Sequence, residues 1–113
     1  MPLTIYHNPR CTKSRQTLEL LESKGLTPTV VEYLKTPLSA AELARIVKLL
    51  GVPASAILRK AEAKEAGMDP SALNEKDLIA AMAKHPAVIE RPIVVNGAKA
   101  AVGRPPENVL KIL

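Results

Sequence analysis

Leu3-Thr4-Ile5-Tyr6-His7-Asn8-Pro9-Arg10-Cys11-Thr12-Lys13-Ser14-Arg15 joins a short apolar strand to a helix through a polar, basic turn. Leu3 to Tyr6 predicts a first strand, and Asn8-Pro9 supplies an N-cap residue followed by proline at the first helical position. Behind the cysteine loop, Leu18 and Leu21 lay an apolar stripe along a helix that Gly25 stops. Val30-Val31-Glu32-Tyr33-Leu34, entered through Pro28, reads as a second strand. The intervening helix makes the two strands parallel and their crossover right-handed. The first half is therefore a βαβ unit.

After Pro37 the period changes. Ser39 and Glu42 form a capping box, Leu43, Ile46, Val47 and Leu50 fall at i, i+3, i+4 and i+7, and Gly51 ends the helix. A second helix is expected from about Pro53, carrying Ile57, Leu58 and Arg59 ahead of the polar stretch Ala61 to Gly67. A third runs from about Asn74 with Leu78, Ile79 and Met82 inward until His85-Pro86 stops it. Ile93-Val94-Val95, the turn signal Asn96-Gly97 and Ala100-Ala101-Val102 make a hairpin, and Pro105 to Leu113 is a short closing helix. The expected fold class is α/β, with a helical insertion at about 39–85 between the βαβ and ββα halves of a single domain, 1–113. That order around a thiol at the end of the first strand is the plan of the thioredoxin and glutaredoxin group. In that plan Arg91-Pro92 stands where a cis-proline lies beside the reactive sulfur; taken alone, Pro92 is a strand-entry proline, for which trans is the rule.

The chain has 113 residues, 47% of them hydrophobic, which is enough for one core and too few for two domains. Phe and Trp are absent and Tyr occurs twice, so Leu, Ile, Val, Ala and Met must fill that core. Stacking platforms for single-stranded nucleic acid need aromatic side chains, and no nucleic-acid partner is expected. A net charge of +5 suits anionic ligands or simple solubility. No apolar run approaches the ~20 residues that span a bilayer, and Met1-Pro2-Leu3-Thr4 has no signal-peptide pattern. With a single cysteine, which can form no internal disulfide, a reducing cytoplasm is the expected location.

That cysteine, Cys11, meets the positive end of a helix dipole, unpaired backbone N–H groups and several cationic side chains, all of which favour the thiolate. A lone cysteine also serves as a small buried hydrophobe in many folds, but the basic setting favours a nucleophile. Three residues on stands Ser14, so the dithiol C-x-x-C is absent and any redox cycle must borrow thiols from outside. The Thr12 and Ser14 hydroxyls read equally as donors to the sulfur or as helix caps. His7 and Arg15 lie close enough in sequence to tune the thiol, although His7 also fits as a cap on the strand end. Lys13 and Arg10 read as solvated, and no Cys or His cluster points to a metal.

His7-Asn8-Pro9-x-Cys11-x-x-Ser14-Arg15, Leu58-Arg59-Lys60, Ile89-Glu90-Arg91-Pro92-Ile93-Val94-Val95 and Gly103-Arg104-Pro105-Pro106-Glu107 together resemble the glutaredoxin-coupled arsenate reductases of the ArsC type, nearest to the short YfgD-like members. The resemblance runs from Leu3 to the last residue. It implies a thioredoxin-like fold with a helical insertion, a nucleophilic Cys11 that attacks arsenate, and Arg59, Arg91 and Arg104 around the substrate. His7, Asn8, Ser14, Arg15 and Pro92 support the site. It further implies no bound cofactor, glutathione as co-substrate, glutaredoxin as partner, and a monomer without membrane association.

The implied arginines have a chemical reason. Arsenate is an oxyanion of one to two negative charges, so an approaching thiolate meets repulsion. Guanidinium groups offset it, bind oxygens bidentately and lower the thiol pKa at once. Each arginine alone has a plainer reading: Arg59 as an exposed helix charge beside Lys60, Arg91 paired with Glu90 or Glu62, Arg104 lining a turn. Two other functions fit the fold. A Spx-like RNA polymerase-binding regulator shares the cysteine loop but generally uses a C-x-x-C switch, which Ser14 removes. A glutathione-dependent oxidoreductase acting on another oxyanion or a mixed disulfide would use the same thiol.

Overall fold

The computed structural model describes residues 3–113. Its contacts group into two compact units, one of residues up to Thr36 together with Arg91–Leu113, the other Pro37–Glu90.

In the first unit, strand β1 (Leu3–His7) leads through the cysteine turn to helix α1 (Thr12–Ser23) and strand β2 (Thr29–Glu32). β1 and β2 pair in parallel with Ile5 opposite Val30 and His7 opposite Glu32. The strand expected to reach Leu34 stops at Glu32 because β1 ends at His7 and offers no further ladder. Tyr33 then opens a turn in which Lys35 and Thr36 both donate to the Glu32 carbonyl. The helix also starts later than Asn8-Pro9 implied. Pro9 and Arg10 form a turn closed by Cys11 N–H on the Asn8 carbonyl at 3.0 Å, and the Asn8 side chain accepts from Arg10 N–H. Asn8 thus caps a turn, and Cys11, at φ −92° and ψ 123°, is itself the residue before the helix.

Strands β3 (Ile93–Asn96) and β4 (Lys99–Val102) form the expected hairpin and complete a sheet of order β2-β1-β3-β4. Asn96 pairs with Lys99, which makes Gly97-Ala98 the two-residue loop, one position beyond the expected turn. Gly97 has φ 61° and no other residue type among those described has positive φ, so the loop places glycine at its first central position, as a type II′ hairpin requires. Ile5, Leu21, Val94, Val109 and Ile112 form the core under the sheet, with Val109 and Ile112 supplied by the closing 3-10 segment Pro106–Ile112. Both tyrosines belong to this unit, Tyr6 on β1 and Tyr33, buried, just after β2.

The second unit lies where the sequence placed the helical insertion. Helix α2 (Ala40–Leu50) begins with the Ser39–Glu42 capping box and ends at Gly51 in the left-handed region, φ 70°. Helix α4 (Glu75–Lys84), capped by the Asn74 side chain on Asp77 N–H, buries Leu78, Ile79 and Met82. Between them the continuous helix expected from Pro53 is absent. A 3-10 turn at Ala54–Ile57 is followed by extended Leu58 and Arg59, and helix α3 covers Lys60–Glu65 within the stretch read as merely polar. The break has a long-range cause. Leu58 forms an isolated antiparallel bridge with Ile89, with Arg59 N–H on the Val88 carbonyl and Glu90 N–H on the Ile57 carbonyl, each at 2.7 Å. No helix among the described residues is long and apolar enough to cross a membrane.

Candidate active site

The turn Asn8–Cys11 and the first turn of α1 place the thiol, and the residues flanking the hairpin bring cations to it. Cys11 is partly exposed and accepts a hydrogen bond from Arg104 Nη2 at 3.4 Å. Arg104 is fixed from behind: its Nε donates to the Arg91 carbonyl at 2.9 Å, and Asn108 Nδ2 donates to the Arg104 carbonyl at 2.9 Å. Burial pushes the Cys11 thiol up, but the Ser14 backbone N–H, the Arg104 charge, a hydrogen bond from the Arg91 side chain and the Lys13 backbone N–H outweigh it, so its pKa lies below the ordinary value. Cys11, Arg91 and Arg104 are therefore one constellation, and a surface pairing of Arg91 with Glu62 or Glu90 is not its whole setting.

Ser14 contributes differently from the expectation that its hydroxyl serves the sulfur. The side chain is fully buried, with Oγ 2.6 Å from His7 Nδ1 while it accepts from Asn8 N–H at 3.0 Å. A neutral His7 fits this contact, with the Ser14 hydroxyl donating to Nδ1. Burial and the Arg15 charge hold the His7 pKa down against the opposing pull of Glu32. Serine thus knits strand to helix with its hydroxyl and turns its amide to the thiol. Arg15 likewise braces the loop, donating from Nη1 to the Pro9 carbonyl at 2.9 Å and from Nη2 to Thr12 Oγ1 at 3.4 Å. The Thr12 hydroxyl is engaged there. Arg10 and Lys13 side chains are exposed.

The Arg91-Pro92 bond is cis, as the fold plan required, and so is Arg104-Pro105. Buried Pro92 accepts at its carbonyl from Gly103 N–H at 2.9 Å. A Cβ on Gly103 would stand 2.5 Å from Thr17 Oγ1 and 2.8 Å from Pro92 Cγ. Thr17 is fully buried and donates to the Lys13 carbonyl at 2.8 Å, so neither neighbour has room to retreat. We expect Gly103→Ala to destabilise the protein by about 1–3 kcal/mol, as overpacking does, and to slow Cys11 alkylation because Arg104 follows directly. Unchanged urea melting with wild-type alkylation would refute this.

Arg59 belongs to the second unit. It is no solitary exposed charge: Nε donates to Glu62 Oε2 and Nη1 to Glu90 Oε1, the latter at 2.7 Å, and 24% of its side chain is exposed. Sequence reading missed this pairing; the i, i+3 spacing of Arg59 and Glu62 was the available signal. Among the described residues no group of three or more His, Cys, Asp and Glu is assembled to hold a metal ion.

A family model described as the ArsC family matches residues 6–112. Uncharacterized protein YfgD of Escherichia coli strain K12 is 51% identical over 112 residues, 96% of this chain and 94% of its own. A Haemophilus influenzae protein named arsenate reductase is 47% identical over 116 residues and is covered in full, as is this chain. The solved structure of an arsenate reductase from Vibrio cholerae superposes with a TM-score of 0.94 at 50% identity, covering 100% of this chain and 98% of that one. Its likeness extends to the thioredoxin-like arrangement described above.

Proposed function

The chain belongs to the ArsC family, and on that footing we propose that it reduces arsenate to arsenite with Cys11 as its single nucleophile, glutathione and glutaredoxin supplying the electrons. The observation that carries this reading is the Arg104 guanidinium 3.4 Å from a thiol whose pKa is lowered. The same cation that favours the thiolate can take an oxygen of an anionic electrophile, so nucleophile and oxyanion are held together rather than apart. Proteins named arsenate reductase at 47% and 50% identity support the choice of arsenate.

In the proposed cycle Cys11 Sγ bonds to arsenic as one arsenate oxygen leaves as water. Glutathione sulfur bonds to the arsenic of the adduct as a second oxygen leaves as water. A glutaredoxin thiolate attacks that sulfur, its bond to arsenic breaks with the electron pair left on arsenic, and As(V) becomes As(III) as the glutaredoxin–glutathione disulfide forms; water then cleaves the Cys11–arsenic bond, arsenite leaves and Cys11 returns as a thiol. Arg91 and Arg104 bind the oxyanion. Arg59 enters as the third arginine through its motif, Leu58-Arg59-Lys60, and family membership. His7, Asn8, Ser14, Arg15 and Pro92 hold the loop. No resident cofactor is invoked, and the protein acts as a monomer in a reducing cytoplasm.

The test is arsenate-dependent NADPH consumption by purified protein with glutathione, glutaredoxin and glutathione reductase. A rate that saturates with arsenate and needs both thiol components is expected. A wild-type protein that alkylates rapidly at neutral pH yet shows no arsenate-dependent rate would overturn the substrate and turn the search to other oxyanions and glutathione mixed disulfides.

A further inference from the structure

A groove runs from the thiol along helix α1. One wall is α1 itself, where Lys13, Gln16, Glu19 and Ser23 follow one another along a face; the other is Pro105–Glu107, where the closing 3-10 segment begins and packs on α1. All of these residues belong to the sheet-containing unit. The groove encloses about 660 Å³ and is open to solvent, within the range of small-molecule sites. Its near end is the active site. The Lys13 backbone N–H is one of the groups that hold the Cys11 pKa down, and Arg104, which donates to Cys11 Sγ at 3.4 Å, directly precedes Pro105. From Lys13 to Ser23 the helix rises about 15 Å.

The lining is wrong for an oxyanion. Glu19 and Glu107 put a carboxylate on each wall against the single ammonium of Lys13, and all three side chains are exposed and able to meet a ligand. A small anion is repelled by those carboxylates and has its place at the arginines. A ligand suited to this groove carries charges of both signs, is a few residues long and leads back to the sulfur. Glutathione has a carboxylate at its glycyl end, an ammonium beside a second carboxylate at its γ-glutamyl end, and a thiol between them. An extended tripeptide spans about 10 Å, and the γ-linkage lengthens one arm, so the molecule fits the length of the groove with its thiol at the Cys11 end.

We propose that this groove is the glutathione subsite. Lys13 meets the glycyl carboxylate, Glu19 and Glu107 take the γ-glutamyl ammonium, and the Gln16 amide bonds the peptide groups between. The proposal rests on the reading of glutathione as co-substrate. Docking there converts the second thiol step into a reaction between neighbours: the glutathione sulfur bonds to arsenic, and the thiol proton departs with an arsenic-bound hydroxyl as water.

Amide NMR of the isotope-labelled full chain, titrated with S-methylglutathione, reads this binding without turnover, because the probe has no thiol to react. The Gln16, Glu19, Ser23 and Glu107 amides should shift saturably. Glu19→Gln and Glu107→Gln are each expected to raise the midpoint about two- to fivefold, the scale of an exposed ion pair, and Glu107→Lys should raise it further. In turnover these variants raise KM for glutathione by the same factor, while KM for arsenate and the rate of Cys11 alkylation stay near wild type. Shifts confined to another face, or a midpoint indifferent to both carboxylates, would overturn the subsite. So would shifts of these amides with glutaredoxin and none with S-methylglutathione, which would give the groove to a protein partner. Saturable binding in the groove without arsenate-dependent turnover would sink the reductase and leave the subsite standing. Arsenate-dependent turnover with an unchanged glutathione KM in every variant would do the reverse.

Discussion

Cys11→Ser brings arsenate-dependent NADPH consumption down to the rate without enzyme, a loss of about 10⁴-fold or more, the scale on which removal of a nucleophile is measured. Two consequences of losing sulfur combine. A hydroxyl has far too high a pKa to ionise beside Arg104, so little nucleophile forms. An ester to arsenic through oxygen would also hydrolyse without moving electrons. The replacement is nearly isosteric at a partly exposed position, so the urea midpoint should hardly move. Substantial turnover by the serine variant would mean that another group makes the bond to substrate.

Arg104→Ala should lower kcat/KM for arsenate by about 10²–10³-fold, the scale of deleting one preorganised donor. It also changes the thiol. Burial raises the Cys11 pKa, while the Ser14 amide, Arg104, Arg91 and the Lys13 amide lower it with the larger combined effect. Removing Arg104 deletes one of the lowering contributions, so the midpoint of alkylation against pH moves up and less thiolate is present at neutral pH. The same sign governs stability. A thiol whose folded pKa is depressed stabilises the fold fully above the unfolded value, and that contribution fades as pH falls through the folded one. Arg104→Lys keeps a charge without the fork, so it should restore part of the midpoint while recovering little of kcat/KM. An alkylation midpoint left in place by Arg104→Ala would show that the 3.4 Å contact does not govern the sulfur.

The periodic parts of this fold were legible because their causes are local. Ser39, Glu42 and Gly51 bracket α2 as capping chemistry requires, and Leu78, Ile79 and Met82 face inward on α4 as their spacing implies. Leu58 and Arg59 defeated the same reasoning. Nothing in an alanine-rich stretch announces that Ile89, thirty-one residues on, will draw Leu58 into a bridge. At the thiol, the residue types were readable and the division of labour was not. Serine near a helix start offers both a hydroxyl and an amide, and the loop alone decides that the hydroxyl goes to His7 while the amide goes to the sulfur. Glu62 and Glu90 were visible as acidic neighbours in the sequence, but not that both accept from Arg59.

Both tyrosines of the chain lie in the sheet-containing unit, and Phe and Trp are absent. Optically, the molecule is therefore lopsided. Tyrosine emission and near-ultraviolet circular dichroism report on the strands and the surroundings of α1, while α2, α3 and α4 are silent at those wavelengths and dominate the far ultraviolet instead. Following one unfolding experiment at both wavelengths shows, without any label, whether the two units melt together. A single tryptophan introduced on an exposed position of α2 would give the silent unit its own signal.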